Sequence, residues 1–368
     1  MNVAIAETAT DAPRWETLFD RTGSVRAIAV MRIAVGLATV VHLRPFLLGE
    51  AYEEHFWEPF VSWFPHPPAA AWFAMLWVGA GAAVLMTIGL WTRTATVLTL
   101  LVVAANLLIS QTHFGHNRAF LVIVLGGLAL LGAGRALSVD AWLRRRRRLP
   151  PVPDEARLWP LFLLRAQVSL VYLASGISKL VDPDWFGGLV LWDRVVRYRH
   201  VLDPTPLPGW AIDVLTSRWL YYAVGPAAAA TELFIGVGLW FGRTRLAAIW
   251  VAIVFHVAID ISARVEVFSY VAIAALTIWV TPSARDRVVL VGTTRSGQLV
   301  SAMVMVGDWF GRFRLQRTGT PTPVAVVDRD GSRLDGPAAV RFALSRLPAA
   351  FAFTAPLLLL AGRRRRAP

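Results

Sequence analysis

Long apolar runs separated by short polar segments are the feature that most restricts how this chain can fold. Runs of about 18 or more apolar residues with few charges are typical of helices that cross a bilayer, where a helix satisfies its own backbone hydrogen bonds. Hydrophobic residues make up 56% of the 368-residue chain, more than in an ordinary soluble domain. The sequence therefore predicts an all-α polytopic membrane protein with about eight transmembrane helices. The predicted spans are residues 25–43, 70–91, 94–112, 117–134, 160–180, 219–241, 244–262 and 265–281.

The positions of the arginines indicate how these spans are oriented. Segments 91–94, 144–148 and 241–245 fall on one side of the membrane if eight spans alternate in direction. Basic loops remain preferentially in the cytoplasm, so we expect a multi-pass protein of the plasma (inner) membrane with both termini cytoplasmic. This placement also explains the net charge of +13, and binding to nucleic acid is not expected. The polar N-terminal tail, residues 1–20, lacks the pattern of a signal peptide, so the first span is expected to direct insertion.

The pattern changes after the transmembrane domain, which we predict to cover residues 21–282. Residues 283–368 are predicted to form a small cytoplasmic α/β module. The expected elements of the module are strands at 287–292, 312–317 and 323–331 and helices at 297–311 and 336–348. The apolar stretch 350–362 is too short to cross a membrane, so it is expected to pack or to lie on a surface.

Two long segments on the opposite side of the membrane, residues 44–69 and 181–218, are rich in tryptophan and proline. Tryptophan is enriched where a membrane meets water, because its ring is apolar and its N–H is polar. We therefore expect both segments to lie as amphipathic pieces at the outer interface.

Lys179 is the only lysine in a chain that uses arginine at its 36 other basic positions. A partly buried lysine can release its proton, whereas an arginine stays charged and cannot accept one. Lys179 is therefore a candidate base, although it could also be an anchor at a helix end. It belongs to a polar stripe at helical spacing, which is expected to face the bundle rather than lipid. The other members are Arg165, Ser169, Tyr172, Ser175 and Gly176.

A second candidate group lies in the seventh span, where His256, Asp260 and Arg264 are four residues apart. A carboxylate at this spacing can orient an imidazole, although a structural ion-paired cluster fits the spacing equally well. Glu232, in the sixth span, is a further intramembrane carboxylate. His113 and His116 lack a visible third ligand, so no metal is predicted there. The absence of cysteine excludes thiol chemistry.

Three stretches together resemble the membrane domain of vitamin K-dependent gamma-carboxylases, which occurs in bacteria as the horizontally transferred transmembrane (HTTM) family. They are "LSVDAWL" (137–143), "LRAQVSLVYLASGISKLVDPDWFGG" (164–188), and "FH" followed by "FSY" (255–270). The resemblance implies that Lys179 is the base that deprotonates a quinol, such as menaquinone in its reduced form or a vitamin K-like compound, and that oxygenation of the quinol then generates a strong base. It also implies that His256 is the family's histidine. Tyr172, Ser175, Gly176 and Trp185 are the cofactor-binding candidates on this interpretation.

The chain departs from the family pattern at two places. The polar pair that follows the family's histidine is Ile259 and Asp260 here, and the asparagine–histidine pair before the fourth span is Asn117 and Arg118. These differences favour a relative of the carboxylase chemistry, or a lost activity, over glutamate carboxylation itself. The C-terminal module resembles the DCC family of thioredoxin-like oxidoreductases in residues 328–348, but without its cysteines.

Two hypotheses for the function follow. The first is a carboxylase-like enzyme that uses a quinol and Lys179 to modify a peptide or another substrate, with His256 and Asp260 as orienting or relay groups. The alternative is a non-catalytic membrane protein that binds or assembles a secreted peptide or protein partner.

Overall fold

The structure is a computed structural model. It describes residues 22–49, 58–150, 155–157, 159–197, 208–263, 267–280 and 287–348. The chain divides into two compact units, of which the first contains residues 31–279 and the second contains the residues from 280 onward together with residues 26–30. We call them the membrane unit and the C-terminal unit.

The membrane unit is helical, and each predicted span coincides with a helix in the part of the chain that the structure describes. Four described helices are long and apolar enough to cross a membrane: α1 (Arg26–Leu47), α2 (Ala69–Ile88), α6 (Trp159–Val181) and α10 (Arg218–Gly238). Three shorter apolar helices are α3 (Thr92–Leu108), α4 (His116–Leu130) and α12 (Val267–Leu276), the last extended by a 3₁₀ turn to Trp279. The seventh predicted span coincides with α11 (Arg245–Ala263). Eight crossings therefore remain a prediction, whereas a largely helical fold with four candidate membrane spans is observed among the described residues.

Short elements connect these helices. They are the strands β1 (Thr22–Ser24) and β2 (Glu155–Arg157) and the helices α5 (Val139–Arg146), α7 (Pro183–Phe186), α8 (Leu189–Arg197) and α9 (Gly209–Thr216). Helix α5 begins at a serine cap, because the Ser138 hydroxyl accepts a hydrogen bond from the Ala141 N–H at 3.0 Å. Within the segment predicted to lie at the outer interface, Trp210 is exposed on α9. Trp57 and residues 198–207 lie outside the described residues.

Asp140, in α5, binds the short connection between α2 and α3. Its carboxylate accepts hydrogen bonds from the Trp91 N–H and the Thr92 N–H, both at 2.9 Å, and its own N–H donates to the Gly89 carbonyl at 2.9 Å. At the other end of these two helices, the Gln111 N–H donates to the Glu58 carbonyl at 2.6 Å. Helices α2 and α3 therefore run in opposite directions, as short connections between apolar helices require.

The C-terminal unit contains a four-stranded sheet and two helices. The sheet order is β4–β3–β5–β6, in which β3 and β4 are parallel and the other pairs are antiparallel. The core is made mainly of valines on the strands and alanines on a helix, including Val289, Val326 and Ala339. The elements are β3 (Arg287–Val291), α13 (Arg295–Gly307), β4 (Phe313–Arg317), β5 (Ala325–Val327), β6 (Arg333–Asp335) and α14 (Gly336–Leu344).

The five elements predicted from the sequence are present in the C-terminal unit, with shorter bounds. Strand β6 was not predicted, because its three residues are too few to show an alternating pattern. The thioredoxin-like resemblance remains a prediction. The polar tail 1–20 and the apolar stretch 350–362 lie outside the described residues.

Candidate functional site

The polar stripe of α6 faces other helices of the membrane unit, as predicted. Near the start of the helix, the Arg165 Nε–H donates to the Ile278 carbonyl at 3.0 Å. One turn later, the Ser169 hydroxyl accepts a hydrogen bond from the Trp240 indole N–H at 2.8 Å. Polar groups on a helix in lipid need protein partners, and these contacts explain why the stripe turns inward.

Lys179 lies at the other end of this stripe and forms an ion pair with Glu232 of α10. The Lys179 Nζ is 2.6 Å from Glu232 Oε2, and it also donates to the Ser175 hydroxyl at 2.5 Å. The Ser175 hydroxyl in turn donates to Glu232 Oε1 at 3.1 Å. The side chains of Lys179 and Glu232 are only 13% and 7% exposed. The three side chains thus form a closed, largely buried polar ring between two apolar helices.

Trp185 lies directly beside this ring. The Asp182 carboxylate caps α7 by accepting hydrogen bonds from the N–H groups of Asp184 and Trp185, which turns the chain sharply after α6. As a result the Lys179 Nζ lies 4.8 Å from the centroid of the Trp185 ring, within the range of a cation–π contact. Arg194, on α8, is a second cation near the same ring, at 5.7 Å.

The ion pair forms because α6 and α10 approach each other closely. A Cβ atom at Gly176 would lie 2.9 Å from the Leu233 side chain and 3.2 Å from the Ala229 carbonyl oxygen. A Cβ atom at Gly236 would lie 2.8 Å from the Leu173 side chain. Small residues at such positions let transmembrane helices pack backbone to backbone. Gly176 therefore has a packing role in addition to its predicted place in a binding site.

Tyr172 and His256 form a second buried pair, two turns along α6 from Lys179. The Tyr172 hydroxyl and His256 Nε2 are 2.6 Å apart, and the rings meet at 61° with centroids 5.8 Å apart. His256 is fully buried, and within the described part of the chain its Nδ1 has no hydrogen-bond partner. The structure therefore brings the predicted residues Tyr172 and His256 into direct contact.

Asp260 does not contact His256 through a hydrogen bond, although both residues lie on α11. Its carboxylate accepts a hydrogen bond from the Tyr270 hydroxyl at 3.3 Å, and the imidazole of His256 bonds to Tyr172 instead. The described residues therefore do not show the expected hydrogen bond between Asp260 and His256. The Nε2 atom of His256 bonds to Tyr172 of α6, and its Nδ1 atom has no hydrogen-bond partner among the described residues. Arg264, the third member of that predicted group, lies outside the described residues.

The ring contacts that the structure describes for His113 and His116, near the start of α4, are with residues outside the site around Lys179. His113 is buried, and its ring stacks on His42 at 6.2 Å and meets Phe46 edge-on at 4.6 Å. His116 is exposed at the start of α4. Among the described residues, no group of three or more histidine, aspartate or glutamate side chains is arranged to hold a metal ion.

Glu232 is the site residue that sequence reasoning left without a role. It was recognised as a carboxylate within a predicted span, but its partner is 53 positions away in sequence. The available signal was that both the only lysine and Glu232 are charged groups inside apolar helices, where opposite charges are expected to pair.

Comparison with known protein families agrees with the helical architecture described above, although no solved structure matches the chain. The family model of the HTTM domain matches residues 21–283, which is most of the chain and includes every residue of the site described above. The match confirms the predicted resemblance to the HTTM family. The chain therefore belongs to the HTTM family of integral membrane proteins.

Proposed function

We propose that this protein is a membrane-embedded enzyme related to the gamma-carboxylases, in which Lys179 and Glu232 together accept a proton from a lipid-soluble acid. The observation that supports the proposal most directly is the buried ion pair itself. Lys179, the chain's only lysine, faces a carboxylate at 2.6 Å between two apolar helices. Ionisable groups inside a membrane protein are costly and commonly mark proton or substrate paths.

The pair can hold one more proton than it holds at rest. A proton on Lys179 Nζ can move to Glu232 Oε2 across 2.6 Å, which leaves a neutral amine beside a neutral acid. The amine lone pair can then accept a proton from a substrate. The result is an ammonium beside a neutral Glu232, and the positive charge stabilises the anion that the substrate becomes. Arginine could not replace Lys179 in this role, because it does not release its proton.

The residues around the pair fit an aromatic hydroxyl compound such as a quinol. Trp185 offers an aromatic face 4.8 Å from the amine, and Ser175 supplies a hydroxyl on the same side of α6. The outer face of α6 exposes apolar side chains, including Ile177 and Leu180, along which a lipid-soluble molecule could reach the site from the bilayer. A quinol, when bound, supplies an acidic hydroxyl proton and reducing electrons for reaction with oxygen.

Tyr172 and His256 are proposed as orienting residues for the same site. Tyr172 lies on the inner face of α6 and His256 lies on α11, with the Tyr172 hydroxyl 2.6 Å from His256 Nε2. The imidazole of His256 is fully buried. Asp260 keeps its predicted relay role in this proposal as a partly buried carboxylate at the end of α11, where it bonds to Tyr270 and not to His256.

We further propose that all eight apolar helices cross the plasma (inner) membrane, with both termini in the cytoplasm. The Arg-rich connections favour this topology. The hydrogen bonds from Trp91 and Thr92 to Asp140 support it, because they bring the segment at 91–94 next to helix α5, which leads into the arginines at 144–148. A peptide or another carbon acid would be the substrate that this enzyme modifies.

The experiment compares variants in nanodiscs that contain menaquinol and oxygen. Oxidation of the quinol is followed by absorbance, and lipophilic molecules that co-purify in mild detergent are identified by mass spectrometry. We expect turnover in the parent chain and in Ser178→Ala, which changes an exposed serine on α6. We expect none in Lys179→Ala, Lys179→Arg and Glu232→Gln, although each variant still inserts.

Two outcomes would contradict the proposal. Full turnover in Lys179→Arg would leave Lys179 as an anchor only. A stoichiometric peptide or protein that co-purifies, without a quinone and without quinol oxidation, would establish the alternative of a binding or assembly protein.

A further inference from the structure

Helix α13 of the C-terminal unit is apolar on both of its faces. Its inner face packs into the core through Val300 and Val304. Its outer face carries no charge between Leu299 and Val306, and these two residues are 62% and 76% exposed. A helix that is apolar all round is normally buried. We call the exposed residues of this outer face, together with Trp309 just after the helix, the α13 face; the helical members are Leu299, Met303, Met305 and Val306.

The sequence connection restricts what can cover the α13 face. The last helical residue of the membrane unit is Trp279, and strand β3 begins at Arg287, so seven residues connect the two units. Seven residues reach at most about 25 Å, at about 3.5 Å per residue. This connection is too short to carry β3 far from the membrane that α12 is proposed to cross.

The charge of the C-terminal unit matches a bilayer that contains anionic lipids. Residues 287–348 contain nine arginines and four aspartates, a net charge of +5. One of these arginines is beside the α13 face itself, since the Arg317 guanidinium lies 3.9 Å from the Met305 sulfur. Exposed apolar side chains next to arginine are the pattern by which a helix lies in the headgroup region, with the cations bound to lipid phosphate.

We propose that the α13 face docks on the lipid headgroup layer, so that the C-terminal unit lies on the membrane surface. Val306 and Leu299 would enter the region where headgroups meet acyl chains. Trp309, 44% exposed, would lie at the level that tryptophan prefers in membranes. Arg317 would bind the phosphate groups of anionic lipids. This inference depends on the membrane location of the chain and not on the proposed enzyme activity.

The absence of cysteine in the chain makes a direct test straightforward. A spin label is placed on the full-length protein at Val306→Cys, and in a second protein at Ser332→Cys, an exposed position in the turn before β6. Both proteins are placed in nanodiscs of phosphatidylcholine and phosphatidylglycerol. Collisions of the label with oxygen, which partitions into lipid, are compared with collisions with a water-soluble nickel chelate. Both substitutions are at exposed positions, so neither removes a core contact.

We expect the label at position 306 to collide preferentially with oxygen and the label at 332 preferentially with the nickel chelate. In nanodiscs of phosphatidylcholine alone, the preference at 306 should decrease, because Arg317 loses its anionic partners. An unchanged preference at 306 would contradict the contribution of charge. Preferential collision with nickel at both positions would overturn the proposal, because the α13 face would then be in water. Protection of position 306 from both reagents would also overturn it, because protein and not lipid would then cover this face.

Discussion

Arg32 and Lys179 are basic side chains inside the membrane unit that bind different kinds of partner. Arg32 of α1 donates to two backbone carbonyls, from Nη1 to Ala133 at 2.9 Å and from Nη2 to Leu137 at 2.6 Å. Lys179 of α6 binds the carboxylate of Glu232 and the hydroxyl of Ser175. A backbone carbonyl cannot take up a proton near neutral pH, whereas a carboxylate can. Arg32 therefore joins backbone segments with a permanent charge, while Lys179 faces a group that can accept a proton, as the proposed function requires.

The largest effect is expected when one member of the Lys179–Glu232 pair is removed. Glu232→Leu should lower the free energy of unfolding by about 3–5 kcal/mol, because it leaves a buried ammonium without its counter-charge. The double variant Lys179→Met with Glu232→Leu should recover most of this loss, while quinol oxidation stays absent. Denaturant unfolding in detergent measures both. A double variant no more stable than the single one would show that the pair is not electrostatically coupled.

Arg32→Lys should have the next largest effect. A single ammonium cannot reach both carbonyls with the geometry of the guanidinium fork, so one hydrogen bond of a charged donor is lost, at about 1.5–3 kcal/mol. Quinol oxidation should persist in the protein that remains folded, since Arg32 has no chemical role. Lys179→Arg is the matched exchange, with the opposite expectation: insertion without turnover. If Arg32→Lys and Lys179→Arg lost turnover equally, the proposed difference between a structural Arg32 and a proton-accepting Lys179 would be wrong.

Two serines on α6 provide a further comparison, with smaller expected changes in the free energy of unfolding. Ser175→Ala removes a hydroxyl that bonds to both Lys179 and Glu232 and should cost about 1 kcal/mol of unfolding free energy. Ser178→Ala, at an exposed position one turn from the ring, should change stability by less than about 0.5 kcal/mol. Thermal unfolding of both variants in the same detergent gives the comparison. Equal losses would mean that the polar ring contributes nothing beyond helix propensity.

The smallest effect concerns an ion pair outside the membrane, between Arg287 and Asp328 at 2.7 Å. Desolvation opposes the ionised form, but hydrogen bonds from Arg287 and the Arg329 backbone outweigh it and lower the pKa of Asp328 below its usual 3.8. Stability from this pair is therefore present above about pH 4 and is lost as the pH falls through the lower folded-state pKa. We expect less than about 1 kcal/mol, because the pair is partly in water.

The measurement for this pair is the unfolding of the parent chain and of Asp328→Asn over a pH series. The difference between them should shrink as the pH falls below 4. A difference that stays constant across this range would show that the ionisation of Asp328 does not contribute.

The inward face of α6 could be predicted from the sequence because the helical period alone places Ser169, Tyr172, Ser175 and Lys179 on one side. The partners of these residues could not be predicted in the same way. Each partner lies on another helix, and its register depends on how closely the helices approach at Gly176. For this reason Glu232 was recognised but not paired.

The prediction for His256 shows the same limit. Spacing within α11 favoured Asp260 as its partner, whereas the structure presents Tyr172 from α6. Local spacing shows which residues share a face of one helix, but the helix packed against that face decides which of them it binds. The short strand β6 was not predicted for a different reason: its three residues are too few to show the alternation of apolar and polar side chains.

The most direct test of the central claim uses the fact that the chain has a single lysine. Labelling with ¹⁵N-lysine gives one side-chain amine resonance, which reports the hydrogen bonding and protonation of Lys179 in a bilayer. The account predicts that this resonance changes when menaquinol is added, and that Glu232→Gln both shifts it and abolishes the response. A resonance typical of a solvated ammonium, unchanged by menaquinol and by Glu232→Gln, would contradict the account.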